Sequence, residues 1–461
     1  MTAAVNEKRI FYVDNSNGDD SFSGLSEEEA WKSLERVNEQ TFLPGDSICL
    51  KKGGQWHGML APKGCGAPFL PIVLGSYGEG AMPVIHGDGS YAAILLEKVS
   101  FWTVQGIKVT NQAAERKVRQ GICICGKPKG ITRDIVIEKC EISLVTGENR
   151  RNREVYGSMY WNSGIYVTMS GRSSEEDHLH NIIISSNYIH DVLTSGIRVN
   201  QQEDFINDIH HTHVVIQGNR IERTGSDGII VANCISPLID GNTCIDAGAL
   251  GSLEDTRLIA GIWVCATSNA LIQRNEVAGT RLFENDGTAF DTDWGTAGDT
   301  VFQYNYTHGN QGGFWLDCMG INRNPDCSRT ILRYNISIDD ERCLIQDDYG
   351  LPAHIYGNLF LNTKEGPQIC CHKEGESHRF YENIFHFSKE PLKGWQKSFF
   401  FKNWYYGMGD LPEGDKKAST GTPFPLQELL EKMPPSRMEC EKYWSRLAAL
   451  VETKGQESGS D

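Results

Sequence analysis

Hydrophobic and polar residues alternate in short runs along most of the chain, and one short phrase recurs from about residue 135 onward. In each copy a few alternating apolar residues lead to an asparagine, and a second alternating run follows, as in "VVIQGNRIERTG" and "VFQYNYTHGN". Alternation with a period of two predicts β-strands. The recurring asparagines are spaced 23 to 33 residues apart: Asn187, Asn219, Asn242, Asn275, Asn305, Asn335, Asn358 and Asn383.

A second phrase, a strand opened by glycine, follows most of these copies; it occurs at 164–167, 196–199, 228–231 and 261–264. Helical periodicity is nearly absent from this region. Short strands that turn at a fixed residue type and recur at such intervals predict a parallel β-solenoid. We expect the asparagines to occupy left-handed corners and to hydrogen-bond from turn to turn. A β-sandwich is the rival architecture, but it does not require the same corner residue in every repeat.

With these repeats the chain resembles the right-handed parallel β-helix superfamily, the fold of pectate lyases and several glycosidase families, over roughly residues 10 to 400. The resemblance implies an all-β catalytic domain over 1–405. A capping-box pattern, Ser26 with Glu29, predicts a helix over 26–40 that caps the N-terminal end. The segments "PLQELLEKM" and "ECEKYWSRLAALV" predict a helical extension within 406–461 that ends in a frayed tail.

Composition narrows the function classes. The chain has 461 residues and a formal net charge of −16, which disfavours nucleic acid as a partner because phosphate contacts need basic residues. No run approaches the length of a membrane span, and the N-terminal residues contain no apolar signal-peptide core, so we expect a cytoplasmic protein. The 14 cysteines lie mostly in strand-like runs without regular pairing, which favours reduced thiols. The sequence contains no glycine-rich phosphate-binding motif in a usable context, so we do not expect a nucleotide cofactor.

Aligning the glycine-opened strands places carboxylates in columns. With Gly261, Ala289 and Gly313 in one column, the residues after them point into the core and the third and fifth positions point outward. The third column then contains Tyr166, Arg198, Ile230, Trp263, Asp291, Trp315 and Ile345. The fifth contains Thr168, Asn200, Ala232, Cys265, Asp293, Asp317 and Asp347, and one further coil adds His372.

Like charges stacked on neighbouring strands repel one another, so folding alone does not explain this column. Crowding raises the pKa of at least one carboxyl group, as a general acid requires. Two carboxyl groups suit glycoside hydrolysis, with separations of roughly 5 Å for retention and roughly 6.5 to 9.5 Å for inversion. We expect Asp293 to be the nucleophile or base and Asp317 the acid, and Asp291 competes for either role.

Exposed tryptophans are common platforms for sugar rings, and Trp263, Trp315, Trp161 and Trp294 are the candidates here. The segments "AGIWV", "AFDTDW" and "YNYTHGNQGGF" resemble bacterial β-helix glycosidases of the xylosidase and fucosidase kind, which implies an oligosaccharide or polysaccharide substrate. Further candidate substrate contacts are Arg198, Asp347, His308, His372 and Asp227. We expect no bound metal or cofactor for this activity.

Two other classes stay open. A calcium-dependent polysaccharide lyase would bind Ca²⁺ through Asp293, Asp317 and Asp347. The residue that abstracts the proton would be an arginine or a lysine. Arg198 is too far away for this role, because it lies three coils from Asp293, about 14 Å away. Arg342 or Lys373, on loops, would then be the candidates. A non-catalytic carbohydrate-binding solenoid would keep the tryptophans but would not need crowded acids.

Overall fold

The computed structural model describes residues 8–126, 128–148, 161–201, 208–252, 259–318, 328–348, 351–364, 368–371, 378–387, 393–394, 398–407, 412, 415, 431 and 437–445. The chain forms two compact units. The first comprises Met1–Gly225 and Leu250–Asp255, and the second comprises Ser226–Ala249 and Thr256–Asp461.

The first unit is built from strands that pair in parallel in three sheets. The first sheet has the order β1-β2-β4-β7-β10-β13-β16, the second β3-β5-β8-β11-β14-β17 and the third β6-β9-β12-β15. The strands are β1 (Ile10–Val13), β2 (Ser47–Lys51), β3 (Gln55–His57), β4 (Ile72–Tyr77), β5 (Val84–His86), β6 (Ala92–Glu97), β7 (Trp102–Gln105), β8 (Lys108–Asn111), β9 (Gln120–Gly126), β10 (Thr132–Glu138), β11 (Glu141–Val145), β12 (Ser163–Met169), β13 (Leu179–Ser185), β14 (Tyr188–Val192), β15 (Ser195–Gln201), β16 (His211–Gln217) and β17 (Arg220–Thr224).

The second unit repeats this arrangement, again with parallel pairing. Its first sheet has the order β20-β23-β26-β29-β32-β35-β37, its second β21-β24-β27-β30-β33-β36-β38 and its third β18-β22-β25-β28-β31-β34. The strands are β18 (Ile229–Ala232), β19 (Cys234–Ile235), β20 (Leu238–Asp240), β21 (Thr243–Ile245), β22 (Ala260–Cys265), β23 (Leu271–Gln273), β24 (Glu276–Ala278), β25 (Thr288–Thr292), β26 (Gly298–Gln303), β27 (Tyr306–His308), β28 (Gly313–Cys318), β29 (Ser328–Arg333), β30 (Ile336–Ile338), β31 (Cys343–Asp348), β32 (His354–Tyr356), β33 (Leu359–Asn362), β34 (Gln368–Cys371), β35 (Arg379–Tyr381), β36 (Ile384–Phe387), β37 (Phe399–Phe401) and β38 (Trp404–Tyr406).

One coil contains one strand from each sheet, and the apolar side chains between the three sheets form the core. In the second unit that core is largely aromatic: the Phe290 ring lies 5.3 Å from that of Phe302 and 5.9 Å from that of Phe314. Each coil leaves its apolar face open until the next coil covers it, which is why repeats of this kind stack. The predicted parallel β-helix is confirmed in each unit.

A ladder of buried asparagines runs along the coils. In the second unit the Oδ1 atom of each asparagine accepts hydrogen bonds from the backbone N–H and the side-chain amide of the preceding one, from Asn242–Asn275 to Asn383–Asn403. Asp415 ends the ladder, since its Oδ2 accepts from Asn403 and from the Tyr405 hydroxyl. The predicted turn-to-turn bonding is therefore confirmed.

The predicted left-handed corner is displaced by one position. Positive φ belongs to the residue before the asparagine, such as Arg274 (φ 55°), Tyr304 (φ 55°) and Tyr334 (φ 56°). The asparagine itself keeps an ordinary backbone conformation, because its side chain must point between coils to reach the next backbone N–H.

The glycines that open third-sheet strands are required by close packing. A Cβ at Gly228 would lie 2.0 Å from the Cys244 Sγ, and a Cβ at Gly261 would lie 2.2 Å from Val277 Cγ1. Both neighbours belong to the second sheet, so the two sheets approach too closely at this corner for any side chain.

The N-terminal helix is shorter than predicted. Helix α1 covers Leu34–Glu39, and Ser33, not Ser26, is its N-cap residue, accepting from the Arg36 N–H. The Ser26 hydroxyl does accept from the Glu29 N–H at 3.3 Å, but residues 26–33 are not helical, and Trp31 forms a parallel bridge with Val13. Asp20 is the competing partner, because its carboxylate accepts from the Lys32 and Ser33 N–H groups and holds this segment out of a helix.

Residues 437–445 are helical, within the predicted C-terminal extension. Cys440, Tyr443 and Trp444 pack into a core cluster with Tyr306 and Ile336 of the second sheet, so this helix covers the side of the coils. The segment "PLQELLEKM" and the tail after residue 445 lie outside the described residues, apart from Glu431. The predicted division at residues 405 and 406 stays a prediction.

Two further expectations concern the cysteines and membrane-spanning segments. The eleven cysteines whose side chains the structure describes are free thiols. Within the described ranges, no helix has the length and apolar character to cross a bilayer.

Candidate active site

The third sheet of the second unit brings Trp263 and Asp291 together. Trp263 of β22 pairs with Asp291 of β25, as the alignment of glycine-opened strands predicts. Paired residues on neighbouring parallel strands project from the same face about 4.8 Å apart. Trp263 and Asp291 are therefore neighbouring residues on one face of this sheet.

The next pairing departs from the prediction by one residue. Thr288 pairs with Gly313, Phe290 with Trp315 and Thr292 with Asp317, whereas the predicted alignment matched Ala289 with Gly313. The ring of Phe314 packs 5.9 Å from Phe290 and 5.4 Å from Phe360. A large core residue thus occupies the column that smaller residues fill in earlier coils, so glycine is the wrong alignment mark here.

The corrected register changes the place of Asp317. It does not stack on Asp293 but pairs with Thr292, and a shift of one residue moves a side chain to the opposite face of a strand. The predicted stack of three acids is therefore reduced to Asp317 and Asp347, which do pair on consecutive strands. The Asp317 side chain is fully buried.

The prediction that Trp315 is an exposed platform for a sugar ring is wrong. It pairs with Phe290 instead of lying in the column of Asp291, and it is 0% exposed. Its indole N–H donates to the Thr292 hydroxyl at 3.0 Å, and its ring lies 5.8 Å from that of His378. The indole is a core side chain.

Asp291 is a buried carboxyl group with a strongly raised pKa. It is 8% exposed, and its Oδ1 has no hydrogen-bond partner among the described residues. Burial is the main cause that raises its pKa well above the ordinary value, and the charges of four acids raise it further, in decreasing order Asp293, Asp286, Asp317 and Asp227. A carboxyl group in such surroundings retains its proton at a higher pH than a solvated one.

Asp293 follows directly after β25 and is half-buried. Its backbone N–H donates to the Val264 carbonyl at 2.9 Å, so the ladder continues to this residue. Its Oδ1 accepts from the Trp294 N–H at 2.7 Å. Residues two apart on a strand share a face and are about 6.6 Å apart along it, so Asp291 and Asp293 form a carboxyl pair on one strand.

Asp286 is a site residue that the strand alignment missed. It lies in the loop before β25, which folds back through an antiparallel bridge between Phe283 and Asp286. Gly287 adopts φ 130° at the end of this loop. The signal was the pair of polar residues and glycine in "FENDG", a turn that returns an acid towards the following strand.

Asp227 and Trp263 are joined directly. The Asp227 carboxylate is fully buried, and its Oδ1 accepts from the Trp263 indole N–H at 2.8 Å and from the Ala260 N–H at 3.1 Å. Asp227, predicted only as a substrate contact, is thus a structural neighbour of the site.

The remaining predicted contacts fall elsewhere or outside the described side chains. His308 lies on the second sheet, where its Nε2 contacts Glu276 at 3.3 Å and its ring stacks on Tyr306, and its role as a substrate contact stays a prediction. Arg198 and Trp161 belong to the first unit: Arg198 is buried and donates to the Ser195 hydroxyl at 3.1 Å, and Trp161 is half-buried. The Asp347 side chain, His372 and Lys373 lie outside the described part of the structure.

The described residues contain no group of three or more His, Cys, Asp or Glu side chains arranged to hold a metal ion. Arg342, the loop residue considered as a lyase base, donates from its guanidinium to the Asn285 carbonyl, beside Asp286.

Comparison with known proteins shows similarity to lacto-N-biosidases. The chain is 25% identical to a lacto-N-biosidase from Bifidobacterium longum subsp. longum, over 81% of this chain and 28% of that protein. The chain thus spans little more than a quarter of this curated relative. No model of a known protein family matches it.

Two crystal structures of a lacto-N-biosidase of glycoside hydrolase family 136 from Eubacterium ramulus share the fold. The selenomethionine derivative superposes with a TM-score of 0.68 at 23% identity, and the native protein with 0.63 at 22%. Each match covers 86% of this chain and 68% of the other. These similarities establish a common parallel β-helix architecture.

Proposed function

We propose that this protein is a glycoside hydrolase in which Asp291 is the general acid and Asp293 is the base or nucleophile. The observation that carries the proposal is the surroundings of Asp291: a buried carboxyl group whose Oδ1 has no described partner and whose pKa is raised by burial and by the neighbouring acids. Glycoside cleavage needs such a group to protonate the departing sugar oxygen.

Asp293 suits the complementary role. It is more exposed than Asp291, and its charge is the largest electrostatic contribution to the raised Asp291 pKa. Two interacting carboxyl groups release their protons in two separate steps, so one is ionised while the other is still protonated. The ionised member attacks the anomeric carbon or activates water, and the protonated member assists the leaving group.

Trp263 provides an apolar surface beside the acid. Its 7% exposure leaves only part of the indole for contact, so it packs against one edge of a sugar ring instead of forming an open platform. The similarity to a lacto-N-biosidase supports an oligosaccharide substrate, and lacto-N-biosides are the first substrates to test. The proposed reaction uses no metal ion or cofactor.

The lyase hypothesis has less support. It needs ionised carboxylates as Ca²⁺ ligands, whereas Asp293 does not stack on Asp317 and the pKa of Asp291 is raised. The binding-only hypothesis does not explain why Asp291 is buried beside other acids, since burying a carboxyl group near like charges destabilises the fold.

The test is a panel of chromogenic glycosides that includes a lacto-N-bioside, together with uronate polymers, each with and without chelator. We expect sugar release that chelator does not change. Asp291→Asn should lower turnover about 10²- to 10⁴-fold, whereas Asp299→Asn, which removes an acid paired with Arg329 on the first sheet, should leave it unchanged. An unsaturated product that disappears on chelation would instead establish the lyase.

Azide separates the candidates for the second carboxyl group. A small anion can replace a missing carboxylate nucleophile or base, so azide should restore turnover to Asp293→Gly and form a glycosyl azide. Rescue of the Asp286→Gly or Asp317→Gly variant, and not of Asp293→Gly, would move the role to that residue.

A further inference from the structure

Asp227 is an acidic residue whose side chain is completely buried. Its side chain is 0% exposed, and a carboxylate is costly to remove from water unless its interactions compensate. Its Oδ1 accepts two hydrogen bonds, from the Trp263 indole N–H at 2.8 Å and from the Ala260 backbone N–H at 3.1 Å. Both bonds tie the Asp227 side chain to β22, the strand that carries Trp263.

The position of Asp227 relates it to the site through Trp263. Asp227 lies in the turn that precedes β18, and Trp263 is on the neighbouring strand β22. Trp263 pairs with Ile230 on one side and with Asp291 on the other. Trp263 thus lies on the strand between the one that follows Asp227 and the one that bears Asp291.

A hydrogen bond at the indole nitrogen fixes the direction of the ring. Tryptophan has two rotatable side-chain bonds, and backbone pairing alone leaves both open. The bond to Asp227 selects one orientation of the ring. Bonds to an ionised acceptor are stronger than neutral ones, which makes a carboxylate an effective clamp.

We propose that Asp227 is a positioning residue that fixes the Trp263 indole on the sheet face that carries Asp291, and that its negative charge acts on the Asp291 carboxyl group. The assignment rests on the proposed hydrolase function for its catalytic consequence. The clamp itself rests only on the hydrogen bonds.

The electrostatic part agrees with the surroundings of Asp291. Apart from burial, the groups that raise its pKa are Asp293, Asp286, Asp317 and Asp227, and Asp227 contributes least of these four. The effect of neutralising Asp227 should therefore have the same sign as that of neutralising Asp293 and should be smaller.

The first experiment measures the clamp without any substrate. The indole N–H resonance of Trp263 is identified in the full-length protein by its loss in Trp263→Phe. In Asp227→Asn we expect this resonance to move upfield because the acceptor loses its charge, and in Asp227→Ala we expect its exchange with water to accelerate. Asp299→Asn, an acid of the same unit on the first sheet, should leave it in place. An unchanged resonance in both Asp227 variants overturns the clamp, and Asp227→Asn decides alone if the alanine variant does not fold.

The second experiment measures the catalytic consequence. Asp227→Ala should lower kcat about ten- to a hundredfold, since small displacements of positioning groups have effects of this size, and Asp227→Asn should recover most of it. In Asp227→Asn the alkaline limb of the kcat profile should move to lower pH, because the acid loses its proton earlier. An unmoved limb overturns the charge role. Failure of the wild type to hydrolyse any glycoside overturns the proposed function and this charge role, whereas the indole resonance still decides whether Asp227 holds Trp263.

Discussion

Replacing Asn305 with alanine tests how much the asparagine ladder stabilises the second unit. The Asn305 Oδ1 accepts from the Asn275 N–H and side-chain amide, each at 3.0 Å. Its own amide donates to the Ile272 carbonyl and to Asn335 Oδ1, also at 3.0 Å. The side chain is fully buried, so water cannot replace these partners.

The magnitude follows from the groups left without a partner. Asn275 keeps its side-chain bond to the Ile239 carbonyl, and Asn335 Oδ1 still accepts from the Asn305 backbone N–H. The Asn275 backbone N–H loses its acceptor in the core, and the Ile272 carbonyl loses the Asn305 amide as a donor. At about 1–3 kcal/mol for an unsatisfied buried group, Asn305→Ala should lower the free energy of unfolding by about 1–3 kcal/mol.

The assay is urea-induced unfolding of wild type and variant, followed by circular dichroism and by tryptophan fluorescence. The two probes must give coincident transitions before a free energy is derived, because the chain has two compact units. Asn285→Ala, at an exposed position of the same unit, is the control and should stay within about 0.5 kcal/mol of wild type. A loss below about 1 kcal/mol for Asn305→Ala, near the value of one ordinary hydrogen bond, would show that removing Asn305 leaves no buried group unsatisfied.

Three other changes follow from burial and packing. The raised pKa of Asp291 means that its contribution to stability is complete below the unfolded pKa of about 3.9 and is lost as pH rises through the folded pKa. Asp291→Asn should therefore unfold at a higher urea concentration than wild type at pH 7, and the two proteins should show no such difference near pH 3. Burial lowers the pKa of His211 to about 3, so the stability that is present above its unfolded pKa is lost on acidification. Between pH 7 and pH 5 the free energy of unfolding, measured in urea titrations, should fall by about 2 kcal/mol more for wild type than for His211→Gln. Equal losses in the two proteins would contradict this. Gly261→Ala places a Cβ 2.2 Å from Val277 Cγ1 and 2.8 Å from the Ala289 carbonyl oxygen, so thermal unfolding should show a loss of about 1–3 kcal/mol, and a variant as stable as wild type would show that the corner has room.

Much of the fold could be predicted from the sequence because its signals are local and repeated. The asparagine phrase recurs since each coil must satisfy the same buried backbone groups, and the ladder from Asn242 to Asn403 confirms that logic. The alternation of apolar residues likewise identifies the strands. The length of α1 was missed because Asp20, distant in sequence, captures the N–H groups of Lys32 and Ser33.

The site was predicted only in part because register is a tertiary property. Trp263 and Asp291 were matched correctly, since Ala289 takes the place of Gly228 and Gly261 and keeps the same spacing to the paired residues. The alignment then failed at "GGF", where Phe314 fills the corner and shifts Asp317 by one position. No local pattern shows that a core has widened enough for a phenylalanine. The clamp between Asp227 and Trp263 joins side chains 36 residues apart, which spacing alone does not reveal.

The most direct test of the account is the dependence of the Asp291→Asn defect on the leaving group. A general acid matters only when the departing oxygen needs a proton, so kcat/KM should fall about 10²- to 10⁴-fold for an oligosaccharide and less than about tenfold for the matching dinitrophenyl glycoside. Equal losses on both substrates would show that Asp291 does not protonate the leaving group, and the proposed division of roles between Asp291 and Asp293 would be wrong.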